Sequence, residues 1–576
     1  MSDLSYTGKK WVWPEMKSHP QPTPLAPWLM TILGSRGIQT EDIPEYLDKS
    51  LKTLHDPRLM ADMEPAVSRL CEAITSGEPI TVYGDYDVDG VCSTTVLVEF
   101  LRQVGAVVSF YIPDRRAEGY GLNVDAVLNI ATQSKVLITT DCGITAYDEV
   151  CAANEAGLDV IIVDHHQVPE AMPPAVACLN PHRPDCNYPF KELCAAGVAF
   201  ILVAGLRREL RDRDFFKDGR EPDVRTLLDI VAVATVADMV PICGNNRALV
   251  FAGLRQMSHA ARPGLKALMK VSDVEADRIC ASDLGFKIGP RINARGRLDH
   301  AGAAVDLMLT HDIKQAEALA QALDDANQNR RQIEQAAVES AIDAVENEGY
   351  LNYAALVIYH PQWHPGVLGL VASRLVRRFH RPTIVIGEGG KGSARSIPGF
   401  DIYSGIETAA HHLERFGGHK AAAGLTIAED NIEGFRRDFI GVVQSSIGAP
   451  PYIPVLQPDL EMDAETLELQ MVDELAALGP FGQKNPEPLL VSRGVSIRDR
   501  RIVGKDHLKL NLGERGIDAI AFGFGPYMNK MPEKIDVAYR IERNVFRGRE
   551  NLQLMVEDIR PHETQPPETE VVLDSI

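Results

Sequence analysis

The chain alternates strand-length apolar runs with stretches of helical periodicity between about residues 66 and 310. Four apolar runs lie near residues 79–83, 107–112, 135–140 and 158–163. Amphipathic segments such as 91–104 separate them, and strands that alternate with helices in this way form a parallel sheet covered by helices. The run 227–237 is apolar along its length and contains no Gly or Pro, which predicts a buried helix. We therefore predict an α/β domain over residues 66–310.

A long helix and a second α/β lobe follow. Residues 312–347 contain no Gly or Pro and repeat apolar positions at helical spacing, which predicts a helix of roughly 50 Å at 1.5 Å per residue. Apolar strands at 354–359 and 383–386 predict a second α/β domain over residues 351–450. We expect the segment 311–350, which contains the long helix, to join the two lobes.

The two ends of the chain depart from this pattern. Residues 1–65 are rich in Pro and aromatic residues and lack a sustained period, which predicts an extended segment with short helices that wraps on a neighbouring domain. Residues 455–562 contain short β-like runs separated by turn residues, as expected for a small OB-like barrel. The tail 563–576 combines Pro and Glu with few apolar residues, so we expect it to be disordered.

Composition narrows the class of protein. A chain of 576 residues is too long for one core. Its 45% hydrophobic and 24% charged residues are ordinary for a globular protein, and we find no secretory or membrane signal, so we expect a cytoplasmic protein. The net charge of -21 argues against a protein that coats nucleic acid with its whole surface, although a local basic groove remains possible. The nine cysteines form no CxxC pair, which argues against a zinc ribbon.

Three of the predicted strands run directly into acidic residues. The residues that follow them are Asp85, Asp87 and Asp89 after the first strand, Asp141 after the third, and Asp164, His165 and His166 after the fourth. Parallel strands deliver these positions to one edge of the sheet, where they can meet in a crevice. Carboxylates gathered in one pocket repel and raise each other's pKa unless cations neutralise them. The sequence therefore predicts a metal site at this edge.

The alternative for any single Asp is a turn or a helix cap, both of which favour this residue. Independent caps have no reason to collect histidines at the same edge, so we favour the metal site. Oxygen ligands with one or two imidazoles suit Mn²⁺ or Mg²⁺, and a pair of such ions can activate water and stabilise charge at phosphorus. Phosphoryl chemistry is the leading reaction class. Asp238, at the end of the apolar helix, is a further candidate ligand, although alone it would more often be a polar helix end.

Basic and small residues indicate where phosphates bind. The segment 289–298 (GPRINARGRL) offers forked donors in a Gly-containing loop, and the alternative is a solvated basic turn. In the second lobe, 391–396 and 417–420 contain small residues that let the backbone approach a phosphate. The candidate phosphate-binding residues are Arg291, Asn293, Arg295, Ser393, Arg395, Gly417, Gly418 and His419. Together they indicate a substrate chain that lies between the two lobes.

The last domain combines basic residues with aromatics on its predicted strands and turns, among them Phe522, Phe524 and Phe546. A basic face with aromatics on a small barrel is one way to hold a single nucleic-acid strand, by backbone attraction and base stacking. Barrels also use aromatic residues only as core, so that alternative stays open.

In combination these motifs resemble those of the DHH phosphoesterases, named for the triplet that stands here as 164–166. The matching motifs are Asp87-Val-Asp89, Asp141-Cys-Gly143, Asp238 within 236–241, and Gly417-Gly-His419 in the DHH-associated second lobe. Within the family, residues 84–90, residues 289–297 and the C-terminal barrel are similar to the single-strand-specific 5′-to-3′ DNA exonucleases of bacterial recombination and repair.

The resemblance implies two Mn²⁺ or Mg²⁺ ions and a division of roles among the motif residues. It implies metal ligation by Asp87, Asp89, Asp141, His165 and Asp238, with Asp85 as a ligand or close neighbour. It places His166 at the scissile phosphate. The candidate catalytic residues are His166, Asp89 and Asp164. The remaining basic and small residues would bind strand phosphates. One departure is Ala394, where related chains often carry Gly and where a methyl group could narrow the approach to a phosphate. The 5′-to-3′ polarity rests on the resemblance alone.

Two alternative functions remain. One is a hydrolase of the same family that acts on small nucleotides or oligoribonucleotides, which the basic segment 289–298 and the extra barrel argue against. The other is a non-catalytic scaffold that binds single strands, which the intact ligand positions argue against. We expect single-stranded DNA as the substrate, cooperation with a helicase and a single-strand-binding protein, and a monomeric protein.

Overall fold

The computed structural model describes residues 4–14, 25–114, 118–119, 121–217, 219–298, 302–546 and 548–562, without the side chains of residues 295–298 and 546. The chain forms two compact units. One contains Asp48–Pro450 and Pro480–Asn485, and the other contains Met1–Leu47, Pro451–Gly479 and Pro486–Ile576. Within the described residues, no helix combines the length and apolar character that a membrane span requires.

The N-terminal residues belong to the same unit as the C-terminal domain. Their elements are strand β1 (Lys10–Trp11) and helices α1 (Pro27–Ser35) and α2 (Ile43–Leu47). The side chain of Trp11 is buried, and its indole N–H donates a hydrogen bond to Asp558 Oδ2 at 2.8 Å. The predicted packing of this segment on a neighbour therefore takes the form of a contact with the C-terminal domain.

The first sheet is entirely parallel. Its strands are β2 (Ile80–Gly84), β3 (Val108–Tyr111), β4 (Val136–Thr140), β5 (Asp159–Val163) and β6 (Ala177–Leu179). They lie in the order β3-β2-β4-β5-β6, which confirms the predicted parallel sheet. The chain reverses its direction of travel across the sheet between β2 and β4, and such a switch point opens a crevice at the carboxyl ends of the strands. The acidic motifs follow the strands at this edge.

Helices cover both faces of this sheet. They are α3 (Met63–Ser76), α4 (Val88–Gln103), α5 (Val124–Ala131), α6 (Tyr147–Glu155), α7 (Ala195–Asp212), α8 (Leu228–Ala237), α9 (Gly244–Ala260) and α10 (Pro263–Val271). Side chains alternate along each strand, so Ile138 packs in the core formed with α4, α7 and α8, while Leu137 packs in the core formed with α5 and α6. The predicted buried helix is α8.

The segment 289–298, predicted as a Gly-containing loop, is helical, so that prediction is wrong. It forms α12 (Gly289–Leu298), which follows α11 (Ala281–Asp283) and a π-helical turn (Leu284–Ile288). Pro290 lies inside a helical run that is continuous from Ala281, and the π-helical turn just before it changes the hydrogen-bond pattern where proline provides no backbone N–H. Gly289 serves close packing, because a Cβ there would lie 3.2 Å from the Cβ of Ala237 in α8.

The predicted long helix is confirmed as α14 (Ile313–Asn347), which follows α13 (Gly302–Leu309). Asp312 caps it by accepting hydrogen bonds from the backbone of Lys314 and Gln315. At 1.5 Å per residue it is about 50 Å long. It packs on α10, α12 and α13 of the first lobe and on α15 of the second, so it joins the two lobes.

The second lobe is built on a mixed sheet. Its strands are β7 (Leu356–Tyr359), β8 (Thr383–Ile386), β9 (Lys391–Arg395), β10 (Leu413–His419) and β11 (Ala422–Ile427), and its helices are α15 (Leu368–Phe379), α16 (Ile402–Thr408) and α17 (Ile432–Ile447). The strand order is β10-β11-β9-β8-β7, with only β7 and β8 parallel among these five strands. Helices α14 and α15 pack on one face and α16 and α17 on the other.

The C-terminal domain is a closed five-stranded barrel, as predicted. Its elements are β12 (Val455–Leu456), β13 (Leu460–Glu461), α18 (Gln470–Leu475), β14 (Leu490–Val503), β15 (His507–Leu512), β16 (Ile517–Ala521), β17 (Lys534–Phe546) and β18 (Arg549–Pro561). The order β14-β15-β16-β18-β17 is closed by pairing of β14 with β17, and β1 pairs in parallel with β12. Strand β16 was not predicted. The tail 563–576, predicted to be disordered, lies outside the described residues.

The contact of Trp11 with the barrel leads to a stability prediction. We expect Trp11→Ala to reduce the free energy of unfolding of this unit by about 3 kcal/mol, because a buried ring is removed and Asp558 loses a buried hydrogen bond. Calorimetric unfolding transitions measure the loss. Trp13→Ala is the matched control, since Trp13 is 37% exposed and its loss is expected to cost much less. Equal losses in the two variants would contradict the prediction.

Candidate metal centre

The first acidic motif forms the turn between β2 and α4. Asp87 caps α4 through Oδ1, which accepts hydrogen bonds from the backbone N–H groups of Asp89 at 2.9 Å and Gly90 at 3.1 Å. A Cβ at Gly90 would lie 2.4 Å from the backbone oxygen of Asp85, so glycine lets the helix begin directly against the end of the strand. This close packing sets the spacing of the three aspartates.

Asp89 points from the first turn of α4 to the N-terminus of α7. Its Oδ2 accepts from the Ala195 N–H at 2.6 Å and its Oδ1 from the Ala196 N–H at 2.8 Å. A helix N-terminus favours negative charge. Burial nevertheless raises the pKa of Asp89 and the charge of Asp87 adds to this, while His165 and the two N–H groups act in the opposite direction. The anion is therefore only partly compensated by the protein.

Asp141 follows β4 in a left-handed backbone conformation, with φ of 61°. Asp tolerates this conformation better than most residues. Its backbone N–H donates to Val163 O at 3.1 Å, which fixes the turn to the end of β5. Burial, then the charges of Asp87, Asp89 and Asp238, raise the pKa of Asp141 well above its ordinary value.

His165 lies among three carboxylates. Its Nε2 is 3.3 Å from Asp141 Oδ1 and 3.7 Å from both Asp89 Oδ2 and Asp238 Oδ2. Burial lowers the pKa of His165, which favours the neutral imidazole that ligates metals. Burial and the charges of Asp89 and Asp87 raise the pKa of Asp238, at the end of α8, to about 9.

The donor atoms fit two neighbouring cations. Three sets in this cluster each place their donor atoms within 4.8 Å of one another. Asp85, Asp87 and Asp141 form one and Asp89, His165 and Asp238 form another, and these two share no residue. The third joins Asp141 and His165 with His166. Carboxylates with one imidazole suit Mn²⁺ or Mg²⁺. Divalent cations would also neutralise the acids whose pKa values burial and mutual repulsion raise. The structure thus brings together all six residues predicted as ligands.

Asp164 takes a different position from the other acids. Its Oδ1 accepts hydrogen bonds from the backbone of His165 and from the backbone and Nδ1 of His166, the last at 2.7 Å, while Oδ2 accepts from Ile144 N–H. Burial alone would lower the pKa of His166, but the hydrogen bond and charge of Asp164 outweigh it and raise that pKa to about 9. Asp164 therefore holds His166 in place as a donor, in the role of a positioning residue.

The residues of α12 that were predicted to bind phosphate have different environments. Arg291 is buried, and its guanidinium donates to Asp324 Oδ1 at 2.8 Å and to the carbonyl oxygens of Lys287 and Val271. It holds α12 against α14 and does not face the acidic cluster, which contradicts its predicted role. Asn293 does lie beside the cluster, where its Oδ1 accepts the Val88 N–H at 3.1 Å. The side chain of Arg295 lies outside the described residues.

The predicted residues of the second lobe form two rows across the sheet. Ser393 of β9 is opposite Gly424 of β11, which is opposite Gly417 of β10. One step along, Arg395, Ala422 and His419 form a parallel row. Because side chains two residues apart share a face, both rows lie on the same face of the sheet. This face combines polar side chains with small residues, as a phosphate site requires.

Gly418 and Ala394 belong to neither row. Gly418 has φ of 147°, and a Cβ there would lie 2.5 Å from Ala422 O, so glycine allows close pairing of β10 with β11. Ala394 is buried in the core that contains α16 and α17, on the opposite face. The methyl group of Ala394 therefore does not narrow the approach of a phosphate to the polar face, although related chains often carry Gly at this position.

A cleft of about 810 Å³ lies beside the metal centre, between the first lobe and the helices α14 and α15. Ala237, next to Asp238, and Asn293 line one side of it. Four arginines line the other side, namely Arg330, Arg331, Arg374 and Arg377. The sequence analysis missed these arginines, because charged residues on amphipathic helices usually belong to the face that is exposed to solvent. It also missed His182, whose pKa is lowered by burial and by the nearby charges of His165 and His166.

The barrel offers a smaller basic surface than predicted. Phe524 is buried in the barrel core, the side chain of Phe546 is outside the described residues, and Phe522 is 56% exposed. Arg543 and Arg540 are held in ion pairs with acidic neighbours. Arg501 and Lys505, at the hairpin between β14 and β15, are exposed, and the ring of Phe522 lies 4.9 Å from that of His507 at the start of β15.

Comparisons with known proteins agree with this architecture. The model of the DHH family N-terminal domain matches residues 79–235, the DHHA1 domain model matches 351–445, and the RecJ OB domain model matches 458–558. The single-stranded-DNA-specific exonuclease RecJ of Dickeya dadantii is 37% identical over 94% of this chain and 97% of its own length. The chain belongs to the RecJ family. RecJ of Escherichia coli is 36% identical over 94% of this chain and 97% of its own.

A solved RecJ shares the fold. The crystal structure of RecJ from Thermus thermophilus in complex with Mn²⁺ matches with a TM-score of 0.79 and 30% identity, over 94% of this chain and 76% of that chain. A second structure of the same protein is in complex with Mg²⁺ and matches with a TM-score of 0.75. The two cations in these RecJ structures are those that the donor set of this chain favours.

The repulsion among the acids can be measured through stability. Without metal at pH 8, we expect Asp141→Asn to raise the melting temperature by about 2–4 °C per kcal/mol of repulsion removed, since Asn keeps the left-handed backbone and carries no charge. Added Mn²⁺ should stabilise the wild type more than the variant. At pH 5 the difference between the metal-free proteins should shrink. The carboxyl of Asp141 has a raised pKa in the folded protein and an ordinary one, near 4, in the unfolded chain, so the cost of burying it grows as the pH rises above about 4 and is small at pH 5.

Thermal melting in EDTA and in Mn²⁺ at both pH values gives the comparison. Asp148→Asn, in the first turn of α6, is the control for loss of an acid outside the cluster. A metal-free Asp141→Asn protein that melts below the wild type at pH 8 would contradict the prediction.

The packing of Gly90 leads to a second prediction. We expect Gly90→Ala to abolish tight Mn²⁺ binding, because its Cβ would lie 2.4 Å from a backbone oxygen of the turn that carries the aspartates. Gly441→Ala on α17 is the matched control, since a Cβ there meets no atom within 4 Å. Calorimetric titration with Mn²⁺ measures both, and unchanged affinity in Gly90→Ala would show that the turn tolerates displacement of α4.

Proposed function

We propose that this chain is a metal-dependent exonuclease that hydrolyses single-stranded DNA from its 5′ end and acts in recombination and repair. The observation that carries the proposal is the position of a carboxylate–histidine cluster beside a cleft lined with arginines. Membership in the RecJ family supports the same activity. A small substrate would need neither the cleft nor the barrel.

Six residues are the proposed metal ligands. The proposed ligands of two Mn²⁺ or Mg²⁺ ions are Asp85, Asp87, Asp89, Asp141, His165 and Asp238. Bound ions of this kind supply an activated water and neutralise charge at the reacting phosphorus. The N-terminus of α7 and the cap of α4 hold Asp89 and Asp87 in position, so the ligand geometry is set before the substrate arrives.

His166 is the proposed donor to the scissile phosphate. The His166 Nδ1 lies 2.7 Å from Asp164 Oδ1, and this contact favours the imidazolium form, in which both ring nitrogens carry a hydrogen. A charged donor at a non-bridging oxygen stabilises the negative charge that increases in the transition state. Asp164 acts through His166 and contacts no substrate in this proposal.

The strand would be held by its phosphates on two surfaces. The polar face with Ser393, Arg395 and His419 is the proposed site for the 5′ end, and the arginines of α14 and α15 are the proposed site for the following phosphates. Asn293 would link the strand to the metal centre, since its Oδ1 is fixed by Val88 and its amide group retains donors. The barrel would retain the strand between cuts.

Several further points stay predictions. They are the cooperation with a helicase and a single-strand-binding protein, the monomeric state and the cytoplasmic location. Each is compatible with an exonuclease that works on exposed single strands.

The activity is tested with 5′-phosphorylated single-stranded DNA labelled at its 3′ end, in Mn²⁺, beside a blunt duplex and an Asp89→Ala variant. We expect progressive shortening of the single strand alone and no shortening with the variant. Retention of the strand without cleavage by the wild type would instead favour a scaffold. Cleavage of dinucleotides but not of the strand would favour a hydrolase of small nucleotides.

The role of His166 gives a quantitative prediction. We expect His166→Ala to lower kcat by about 10²–10³-fold, the usual cost of removing one transition-state donor, with a small change in KM and unchanged Mn²⁺ binding. Single-turnover rates on the labelled strand measure the effect. His259→Ala, on α9, is the control. A loss of Mn²⁺ binding in His166→Ala would identify His166 as a metal ligand instead.

A further inference from the structure

An exposed aromatic ring stands at the rim of the cleft. Phe286 is 73% exposed and lies at the centre of the π-helical turn Leu284–Ile288. The two ends of the turn, Leu284 and Ile288, are fully buried. A single exposed Phe is common on protein surfaces, but π-helical turns are rare and often occur at functional sites. The turn therefore projects the ring from two fixed points.

The turn is anchored to the metal centre. A Cβ at Gly289, directly after it, would lie 3.2 Å from Ala237 Cβ and 3.9 Å from Val88 Cγ2. Ala237 precedes Asp238, and Val88 stands between Asp87 and Asp89. The position of Phe286 relative to the proposed ligands is thus fixed by close packing, without a flexible linker.

The wall of the cleft formed by α14 and α15 carries hydrogen-bond donors. Arg330 lines the cleft and pairs with Glu334 at 2.6 Å, yet its buried Nε has no hydrogen-bond partner among the described residues. Arg331 and Arg377 also line the cleft, and the described part of the chain provides neither with an ion pair. Such donors suit phosphate oxygens.

A ring on one side and phosphate donors on the other is the arrangement by which proteins hold a single strand. We propose that Phe286 is a stacking platform for one base near the 5′ end of the bound strand. The proposal rests on the proposed function and adds a residue that makes binding depend on an unpaired base. In a duplex every base except those of the terminal pair is stacked on neighbours through both faces, so contact of Phe286 with a base inside the strand also contributes to single-strand specificity.

Fluorescence of 2-aminopurine tests the stacking directly, because stacking quenches this base. We place it at successive positions from the 5′ end and bind each strand in Mn²⁺ to protein that carries His166→Gln, which slows cleavage. We expect strong quenching at one position with Phe286 present, loss of this quenching with Phe286→Ala, and recovery with Phe286→Trp. Phe215→Ala, which removes a 39% exposed ring elsewhere, should keep the quenching.

Cleavage kinetics with His166 intact provide the second measurement. An abasic site at the quenched position should raise KM about tenfold for the wild type, which corresponds to about 1.4 kcal/mol of stacking. For Phe286→Ala the intact and abasic strands should have the same KM. The affinity for Mn²⁺ should change little, because the ring is exposed.

The outcomes separate this inference from the proposed function. If the wild type cleaves single strands but Phe286→Ala keeps both the quenching and the preference for an intact strand, the stacking role is overturned. If Phe286→Ala loses Mn²⁺ affinity together with quenching, the residue supports the fold of the metal centre and the stacking role is likewise overturned. If the wild type cleaves no strand at all, the proposed function itself fails.

Discussion

Repulsion among buried carboxylates is the constraint on which the rest of the structure depends. Asp85, Asp87, Asp89, Asp141 and Asp238 lie at one edge of a sheet with limited access to water, where each charge raises the cost of the others. The fold offsets part of this cost with two backbone N–H groups of α7, the cap of α4 and the imidazole of His165. The part that remains would favour divalent cations, so the cost of gathering these acids and the proposed metal binding have the same origin.

That constraint also explains why backbone and glycine geometry are so specific here. A carboxylate can reach a shared cation only if its strand ends at the same level as its neighbours, which the parallel register of β2, β4 and β5 provides. Gly90 brings α4 against the turn, and Asp141 adopts a left-handed conformation so that its side chain turns back to the cluster. The helix α12 then packs on the ends of α4 and α8, which connects the metal centre through α14 to the second lobe.

The sequence predicted what depends on local pattern and missed what depends on tertiary contacts. Apolar runs that end in acid identified the sheet edge and the acids that lie together there, because strand period and residue type are both visible in sequence. The helix over 289–298 was missed, since Gly and Pro usually indicate loops, whereas here Gly289 allows close packing and Pro290 follows a π-helical turn. In the sequence, Arg291 looks like a phosphate-binding residue. Its structural role becomes visible only in the fold, where it is buried and paired with Asp324. Strands β9, β10 and β11 were not predicted, because glycine and alanine replace the β-branched residues that usually mark strands.

Single-strand specificity cannot come from the metal centre alone. Cations, His166 and arginines all recognise phosphate, and a duplex presents the same phosphate chemistry as a single strand. Discrimination must come from elements that sense whether the bases are free, either by excluding a wider substrate or by contacting a base face. The cleft can do the first through its size, and an exposed ring at its rim can do the second. The cleft and the ring both act on the strand before it reaches the cations. The hydrolysis itself therefore does not need to distinguish single strands from duplexes, because access to the site already does so.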